Sequence, residues 1–116
     1  MNRQRLVGLV AALCAAAAAH AHHGWSRYES GRTISLTGII VESAYVYPHA
    51  TIRLQTAERT WLAVLAPPAR MAMRGVPRDR LLAGAEVTVE GYHSRAEAGV
   101  MRAERITLHG RTVELR

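Results

Sequence analysis

Histidine is the residue type whose placement in this chain points most directly to chemistry. Four of the six histidines, His20, His22, His23 and His49, lie near the expected start of a mature protein or directly after a proline. Imidazole nitrogens bind Cu(II), Ni(II) and Zn(II), and Cu(II) binds most tightly in the general affinity order. A metal site is therefore the first functional hypothesis, with copper as the first ion and zinc as the alternative.

The first 21 residues have the three-part plan of a secretory signal peptide. Two arginines stand in Met1–Arg5, Leu6–Ala19 is almost wholly apolar, and Ala19-His20-Ala21 offers small residues to a signal peptidase. The apolar run is shorter than the roughly 20 residues that a membrane-spanning helix needs. We predict a signal peptide over residues 1–21, export to the periplasm and no membrane span.

The cleavage position decides which metal ligands the mature protein carries. A cut after Ala21 exposes His22, whose free amine and imidazole can chelate one ion together, with His23 adjacent. A cut after Ala19 exposes His20-Ala21-His22 instead, and a histidine in third position also holds Cu(II). With His49 as a third ligand from the barrel, the predicted metal site consists of His22, His23 and His49. The alternative is that these histidines only decorate the arm.

An N-terminal arm over residues 22–32 has neither helical nor strand periodicity. Trp25 and Tyr28 lie three positions apart in it and predict hydrophobic anchors that hold the arm on the rest of the domain. An anchored arm would hold His22 and His23 in place. Trp61, on a later strand, is predicted to lie in the core or at the mouth of a barrel, where it could form part of a ligand face.

From residue 33 onwards the pattern predicts strands. The first strand is long and bent, with its alternation shifting at Gly38, which indicates a bulge there. Ile52 and Leu54 alternate with polar residues in a second strand. The third strand, Thr60–Leu65, places Trp61, Ala63 and Leu65 on one face.

The second half of the domain begins at a helix. Pro67-Pro68 predicts a short helix over Ala69–Arg74, in which only one of Met71 and Met73 packs inward. Further predictions are a helical turn over Leu81–Gly84, a fourth strand over Val87–Glu90 with a bend at Gly91, and a fifth strand from Met101 to Leu108 with a bulge near Glu104-Arg105. A His109-Gly110 turn then leads into Thr112–Leu115.

This order predicts a mainly β domain over residues 33–116. Three strands, a short helix and two more strands, with a long first strand, match a small OB-like five-stranded Greek-key barrel. A split sandwich is the alternative.

Enzymatic activity is not expected, because the chain has no G-x-S-x-G elbow, no H-E-x-x-H, no phosphate loop and no dinucleotide fingerprint. All 15 basic residues are arginine, against nine acids, which makes the domain only mildly basic. Arg53, Arg59 and Trp61 give thin support for nucleic-acid binding, which we therefore do not predict. The single cysteine, Cys14, lies inside the predicted leader, so no thiolate site is expected.

Several segments together resemble a family of small exported proteobacterial proteins classed as a domain of unknown function. They are an H-H-G-W-x-x-Y start from His22 to Tyr28, a P-H-x-x-I-x-L segment from Pro48 to Leu54, and the segments 87–91 and 101–106. An Asn commonly precedes the Pro-His pair in that family, whereas Tyr47 stands here. The resemblance implies a periplasmic OB-like domain with His22, His23, Trp25 and His49 as motif positions, and it brings no established activity.

The sequence therefore predicts a periplasmic, non-enzymatic, monomeric binding protein. Its ligand is a small molecule or a metal ion, with copper first. The alternative is an OB-like module that binds a peptide, a protein or a small anion on its barrel face.

Overall fold

Six β-strands and one short helix follow the N-terminal arm in a computed structural model that describes residues 24–116. The predicted signal peptide, His22 and His23 lie outside the described residues. The elements are β1 (Ile34–Ala44), β2 (Thr51–Gln55), β3 (Thr60–Val64), α1 (Pro68–Met73), β4 (Glu86–His93), β5 (Val100–Leu108) and β6 (Arg111–Glu114).

β1 organises the sheet because it changes partner along its length. Its first half, Ile34–Ile39, pairs antiparallel with β4, and Ile39–Ala44 pairs antiparallel with β2. β2 continues to β3, and β3 pairs in parallel with the start of β5, which also pairs with β4. These pairings close a five-stranded barrel, and β6 extends the end of β5. The predicted OB-like barrel with a helix between its third and fourth strands is confirmed.

The core follows the strand alternation. Trp61, Ala63 and Leu65 are buried on one side of the third strand, as predicted, and they join inward residues of the other strands. Met71 of α1 is fully buried beneath the barrel, while Met73 is 81% exposed. A helix residue two positions further on points to another side, so only one of the two methionines packs inward.

The bulge predicted at Gly38 lies three residues further along β1. Ile40 pairs with Leu54 and Glu42 with Arg53, so Val41 is the extra residue. Gly38 itself belongs to the regular ladder with β4, and a Cβ there would overlap the carbonyl oxygen of Gln55. The glycine is required by this close approach of β2, which the alternation of side chains does not reveal.

The bulge predicted near Glu104-Arg105 is present. Glu90 pairs with Arg105 and Gly91 with Ala103, which leaves Glu104 as the extra residue of β5. The predicted bend at Gly91 is wrong as a strand end, because β4 runs on to His93. A Cβ on Gly91 would overlap the carbonyl oxygen of Arg102, so this glycine allows two backbones to approach closely inside the sheet.

The connection from α1 to β4 also differs in detail. The helical turn predicted over Leu81–Gly84 is a 3-10 turn at Arg78–Arg80. Pro77 precedes this turn and fits its start, while Leu81 follows it and is fully buried.

The described part of the arm, residues 24–32, lies along the end of β4. Trp25–Arg27 form a 3-10 turn, and Tyr28 makes an isolated antiparallel bridge with Ser94. The Glu29 N–H donates to the carbonyl of His93 at 2.9 Å, and the Arg95 N–H donates to the carbonyl of Arg27 at the same distance. Within residues 24–116, none of the helices has the length and apolar character needed to cross a membrane.

Candidate functional site

Arg102 is an outward-facing residue that is nevertheless buried. Its neighbours along β5, Met101 and Ala103, point into the core, so the alternation of a strand directs Arg102 to the outer face. The pairings place it in one row with Val64 of β3 and Tyr92 of β4. Only 8% of Arg102 is exposed, which is unusual for an arginine on the outer face of a small barrel.

Trp25 of the arm lies against this guanidinium. The Cζ atom of Arg102 is 4.4 Å from the centre of the Trp25 ring, and the Cζ of Arg116 is 4.5 Å from the same centre. The edge of the ring meets Tyr92 at a centroid distance of 6.0 Å and an interplanar angle of 84°. Two cation–π contacts and one edge-to-face contact therefore hold the arm on the outside of β4 and β5.

The charge of Arg102 is not neutralised by an acid within residues 24–116. Its Nε is enclosed and has no hydrogen-bond partner among the described residues. Burial lowers the pKa of Arg102; the nearby Tyr28 phenol opposes this shift, whereas the positive charges of Arg70 and Arg116 increase it. A buried cation whose charged neighbours are cations is costly unless something else compensates it.

Glu104, the bulge residue, is the carboxylate next to this region, and its oxygens already have partners. The Tyr92 hydroxyl donates to Oε2 at 2.9 Å, and Nη1 of Arg116 donates to Oε1 at 3.3 Å. The Tyr92 hydrogen bond is the main reason why the pKa of Glu104 is lowered, with Arg116 and Arg105 contributing against burial. Glu104 thus serves Tyr92 and Arg116, and it leaves Arg102 without a counter-charge.

His49 is half-buried in the loop between β1 and β2. The next two residues tie the loop to the barrel: Ala50 exchanges backbone hydrogen bonds with Leu65 and Ala66, and Thr51 pairs with Val64. Burial lowers the pKa of His49, and the positive charges of Arg102 and Arg70 lower it further. His49 therefore lies in the electrostatic range of the same guanidinium that Trp25 covers.

We name this region the arm face. It consists of Trp25, His49, Arg70, Tyr92, Arg102 and Arg116.

Only one of the three predicted metal ligands lies among the described residues. His49 lies at the arm face, whereas His22 and His23 fall outside the described residues. In the stretch 24–116, no three His, Cys, Asp or Glu side chains are close enough together to hold a metal ion. The two guanidiniums that act on His49 repel a cation, so the described residues alone do not fit a metal.

The other predicted site residues are divided between the arm and the core. Trp25 and Tyr28 both contact the barrel, Trp25 through Arg102 and Tyr28 through its bridge to Ser94. Trp61 is only 8% exposed and packs inside the barrel end, 4.9 Å from the ring of His93. Trp61 therefore does not present a free aromatic surface.

Arg102 is the central site residue that the sequence does not reveal, and Arg70, Tyr92 and Arg116 of the arm face were not predicted either. Strand alternation assigns Arg102 to the outer face, where an arginine is ordinarily solvated. Its contact with Trp25 joins it to a residue that stands far away in the sequence and has no periodicity to place it. The one available signal is that Arg102 stands within the segment 101–106 that carries the family resemblance.

A sequence model of DUF6152, a family of unknown function, matches residues 10–102 of the chain. This chain belongs to that DUF6152 family. The match includes every member of the arm face except Arg116, so five of its six residues fall within the family's own region. A search of curated protein sequences finds no significant match.

Solved structures similar to this family member include several of TiaS, a tRNA agmatidine synthetase. The complex of TiaS with its isoleucine tRNA and ATP matches with a TM-score of 0.53 and 20% identity over 76% of this chain. The complex with the same tRNA, AMPCPP and agmatine gives 0.51 and 22% over 69%, and apo TiaS gives 0.51 and 19% over 71%. The chain spans about a fifth of these proteins' length, 19% in each case, and at such identities the similarity shows the fold alone.

Proposed function

We propose that this DUF6152 protein is an exported, non-enzymatic binding module that takes a small negatively charged ligand at the arm face. One observation carries the proposal: Arg102 is buried on the outer face of the barrel without an acidic partner in the described chain. A guanidinium in that state gains more from an anion than a solvated arginine does, because its desolvation has already occurred.

The surrounding charges favour the same class of ligand. Arg70 and Arg116 lie close enough to lower the pKa of Arg102, so they add to the positive potential at this place. The carboxylate of Glu104, which lies next to this region, is engaged by Tyr92 and Arg116. An anion placed beside Arg102 would therefore meet net positive charge.

The position of the arm face within the barrel supports a binding role. OB folds bind ligands on the face of their second and third strands and through the loops that follow strands one and four. His49 lies in the first of these loops, and the arm is hydrogen-bonded to His93 at the end of β4 and to Arg95 in the second loop. Export to the periplasm and the lack of catalysis are proposed from the sequence alone, from the leader predicted over residues 1–21 and from the absence of the common catalytic motifs in the sequence.

The test is anion binding by a matched pair of charge variants. The purified protein, with its N-terminus fixed by intact mass, is titrated calorimetrically with phosphate, sulfate and carboxylates. We expect Arg102→Gln to weaken binding at least about tenfold, the cost of losing a charge-assisted hydrogen bond. Arg32→Gln makes the same change of charge at an exposed arm position and should leave binding unchanged. Equal affinities in both variants would contradict the proposal.

A metal ion bound by His22, His23 and His49 is the second candidate, with copper before zinc. Two observations favour it: the lowered pKa of His49 keeps its imidazole neutral, the form that ligates metals, and Trp25 at the arm face follows His23 by two positions. The guanidiniums of Arg102 and Arg70 act against it.

Titration with Cu(II) and Zn(II) separates the contributions of the three histidines. A His22→Ala, His23→Ala double variant should lose tight Cu(II) binding if the N-terminus chelates the ion. His49→Ala should change the affinity much less, because two positive charges already weaken any cation at that position. Unchanged Cu(II) affinity in the double variant would end the metal hypothesis.

A further inference from the structure

The only ring in contact with the buried guanidinium of Arg102 among the described residues is Trp25. We infer that the indole is an internal occupant of an oxyanion site: a phosphate or carboxylate group binds Arg102 by displacing Trp25, so that arm and ligand compete for one guanidinium. This inference rests on the proposed function and adds to it the class of ligand and the way in which the site opens.

The contact with Trp25 satisfies the charge of Arg102 but not its hydrogen-bonding groups. A ring face attracts a cation through its quadrupole and accepts no directed pair of N–H bonds. The unpaired Nε of Arg102 is the direct sign of this incomplete partnership. An oxyanion meets both needs, since the planar guanidinium presents Nε and Nη donors in a fork that matches two oxygens.

The same ring is shared by a second guanidinium. Arg116 lies 4.5 Å from the Trp25 ring centre and also donates to Glu104. If the indole leaves, Arg116 keeps its carboxylate partner, whereas Arg102 has none among the described residues. Most of the free energy needed to move Trp25 away therefore comes from breaking its contact with Arg102, and the incoming anion replaces that contact.

The arm is packed less tightly than the barrel beneath it. No residue between Gly24 and Arg32 is fully buried, and Trp25 itself is only partly buried. A cavity of about 300 Å³ lies between the arm and the loop after β4, and it is lined by Arg27, Tyr28, Ser94, Arg95, Ala96, Glu97 and Val100. An element with few buried contacts is the part of a fold that opens at low free-energy cost.

Substitution of Trp25 tests whether the indole competes with the anion for Arg102 or only lines the anion-binding site. Inorganic phosphate and acetate are titrated into the wild type, Trp25→Ala and Trp25→Phe. If the indole competes, Trp25→Ala binds the preferred anion about three- to tenfold more tightly than the wild type, the range set by one cation–π contact. Trp25→Phe, which keeps a weaker aromatic contact, should fall between them. Tighter binding of phosphate than of acetate identifies a tetrahedral ligand, and the reverse order identifies a carboxylate.

A measurement on the unmodified protein covers the case in which Trp25→Ala fails to fold. Trp61 is buried in the core, so acrylamide quenching reports mainly on Trp25, and quenching should increase when the anion binds. Weaker or equal anion affinity in Trp25→Ala, with unchanged quenching, overturns the competition while leaving the anion site intact. Absence of anion binding in the wild type and in both Trp25 variants overturns the inference and the proposed function together.

Discussion

Position 102 combines two properties that seldom occur together: a charged side chain and almost complete burial with no acidic partner among residues 24–116. Replacing a buried charged residue with an apolar residue of similar volume commonly leaves a protein equally stable or makes it more stable. A buried charge without a partner is therefore a candidate for a functional role. Arg102 lies on the outer face beneath Trp25, so the arm contributes to its cover. The stability of the domain and its ligand binding should therefore respond differently to changes at this residue.

Replacing Arg102 with methionine tests this separation. Methionine keeps an unbranched apolar stem that can pack beneath Trp25, and it removes a buried charge that has no acidic partner among the described residues. We expect the free energy of unfolding of Arg102→Met to stay within about 1 kcal/mol of the wild type, or to exceed it, while anion binding is lost. Urea denaturation gives the first quantity and calorimetry the second. A loss of more than about 2 kcal/mol would identify Arg102 as a structural anchor of the arm instead.

His49 provides a reporter of the same charges. Burial and the guanidiniums of Arg102 and Arg70 lower the pKa of His49 below the usual value of 6.5. In an NMR titration the His49 ring should therefore titrate below pH 6.5. Its pKa should rise in Arg102→Gln, and also when a saturating anion neutralises the site. No rise in either experiment would show that burial alone sets this pKa.

The lowered pKa of His49 also has a consequence for stability. Because the folded state binds this proton less readily than the unfolded chain, the stabilising contribution is complete above about pH 6.5 and is lost as pH falls towards the folded-state pKa. When denaturation midpoints are measured from about pH 7.5 to about pH 5, the wild type should therefore lose stability relative to His49→Gln as the pH falls. A constant separation across that range would count against the linkage.

At the scale of elements, two glycines mark the places where strands approach each other most closely. Gly38 faces the backbone of Gln55, and Gly91 faces the backbone of Arg102. Both lie inside strands, Gly38 in a regular ladder and Gly91 opposite the bulge of β5, so they serve the curvature of a small closed barrel rather than a turn. Gly91 has the additional effect of setting the backbone position from which the Arg102 side chain reaches the arm face.

Gly91→Ala should therefore be destabilising. The added Cβ would overlap the carbonyl oxygen of Arg102, and backbone atoms can make room only if the β4–β5 ladder shifts. We expect a loss of about 1–3 kcal/mol in the free energy of unfolding, the usual cost of overpacking. Gly31→Ala is the matched control, because nothing lies within 4 Å of a Cβ there. Equal stabilities of the two variants by thermal denaturation would show that the strands yield freely at Gly91.

Features that depend on one segment of the sequence could be predicted, whereas features that depend on two distant segments could not. The bulge at Glu104 was predictable because the extra residue disturbs the alternation of β5 directly. The bulge predicted at Gly38 is wrong by three residues, because it lies at Val41. In the sequence, a glycine that allows a neighbouring strand to approach cannot be distinguished from a glycine that forms a bulge. The cover of Trp25 over Arg102 joins two segments far apart in the chain, and no pattern within either segment contains it.

At the scale of the molecule, residues 24–116 form a barrel whose closure depends on the parallel contact between β3 and β5. Hydrophobic alternation and the order of elements were sufficient to predict that topology, because few arrangements of five short strands bury both halves of a long first strand. The same architecture occurs within TiaS, whose structures include bound tRNA, so the likeness raises the question of nucleic-acid binding at the scale of the molecule.

The outer face of β2 and β3 lacks the features that nucleic-acid-binding OB folds use. OB folds that bind single strands combine basic residues there with aromatic rings on which bases stack. The corresponding outward residues are Thr51, Arg53, Gln55, Thr60, Leu62 and Val64, and none is aromatic, while Trp61 points into the core. Arg53 also forms an ion pair with Glu42 at 3.5 Å, which reduces its attraction for phosphates.

We therefore expect no more than weak, non-specific binding of single-stranded RNA or DNA. In fluorescence anisotropy, any binding seen at low salt should disappear as the salt rises to about 0.15 M, because contacts to phosphates alone are lost through counterion effects. Arg53→Gln should change this weak binding no more than Arg32→Gln does, since the proposal gives neither arginine a specific contact. Salt-resistant binding that Arg53→Gln alone abolishes would show that the barrel uses its β2–β3 face as nucleic-acid-binding OB folds do, and it would move the functional site away from the arm face.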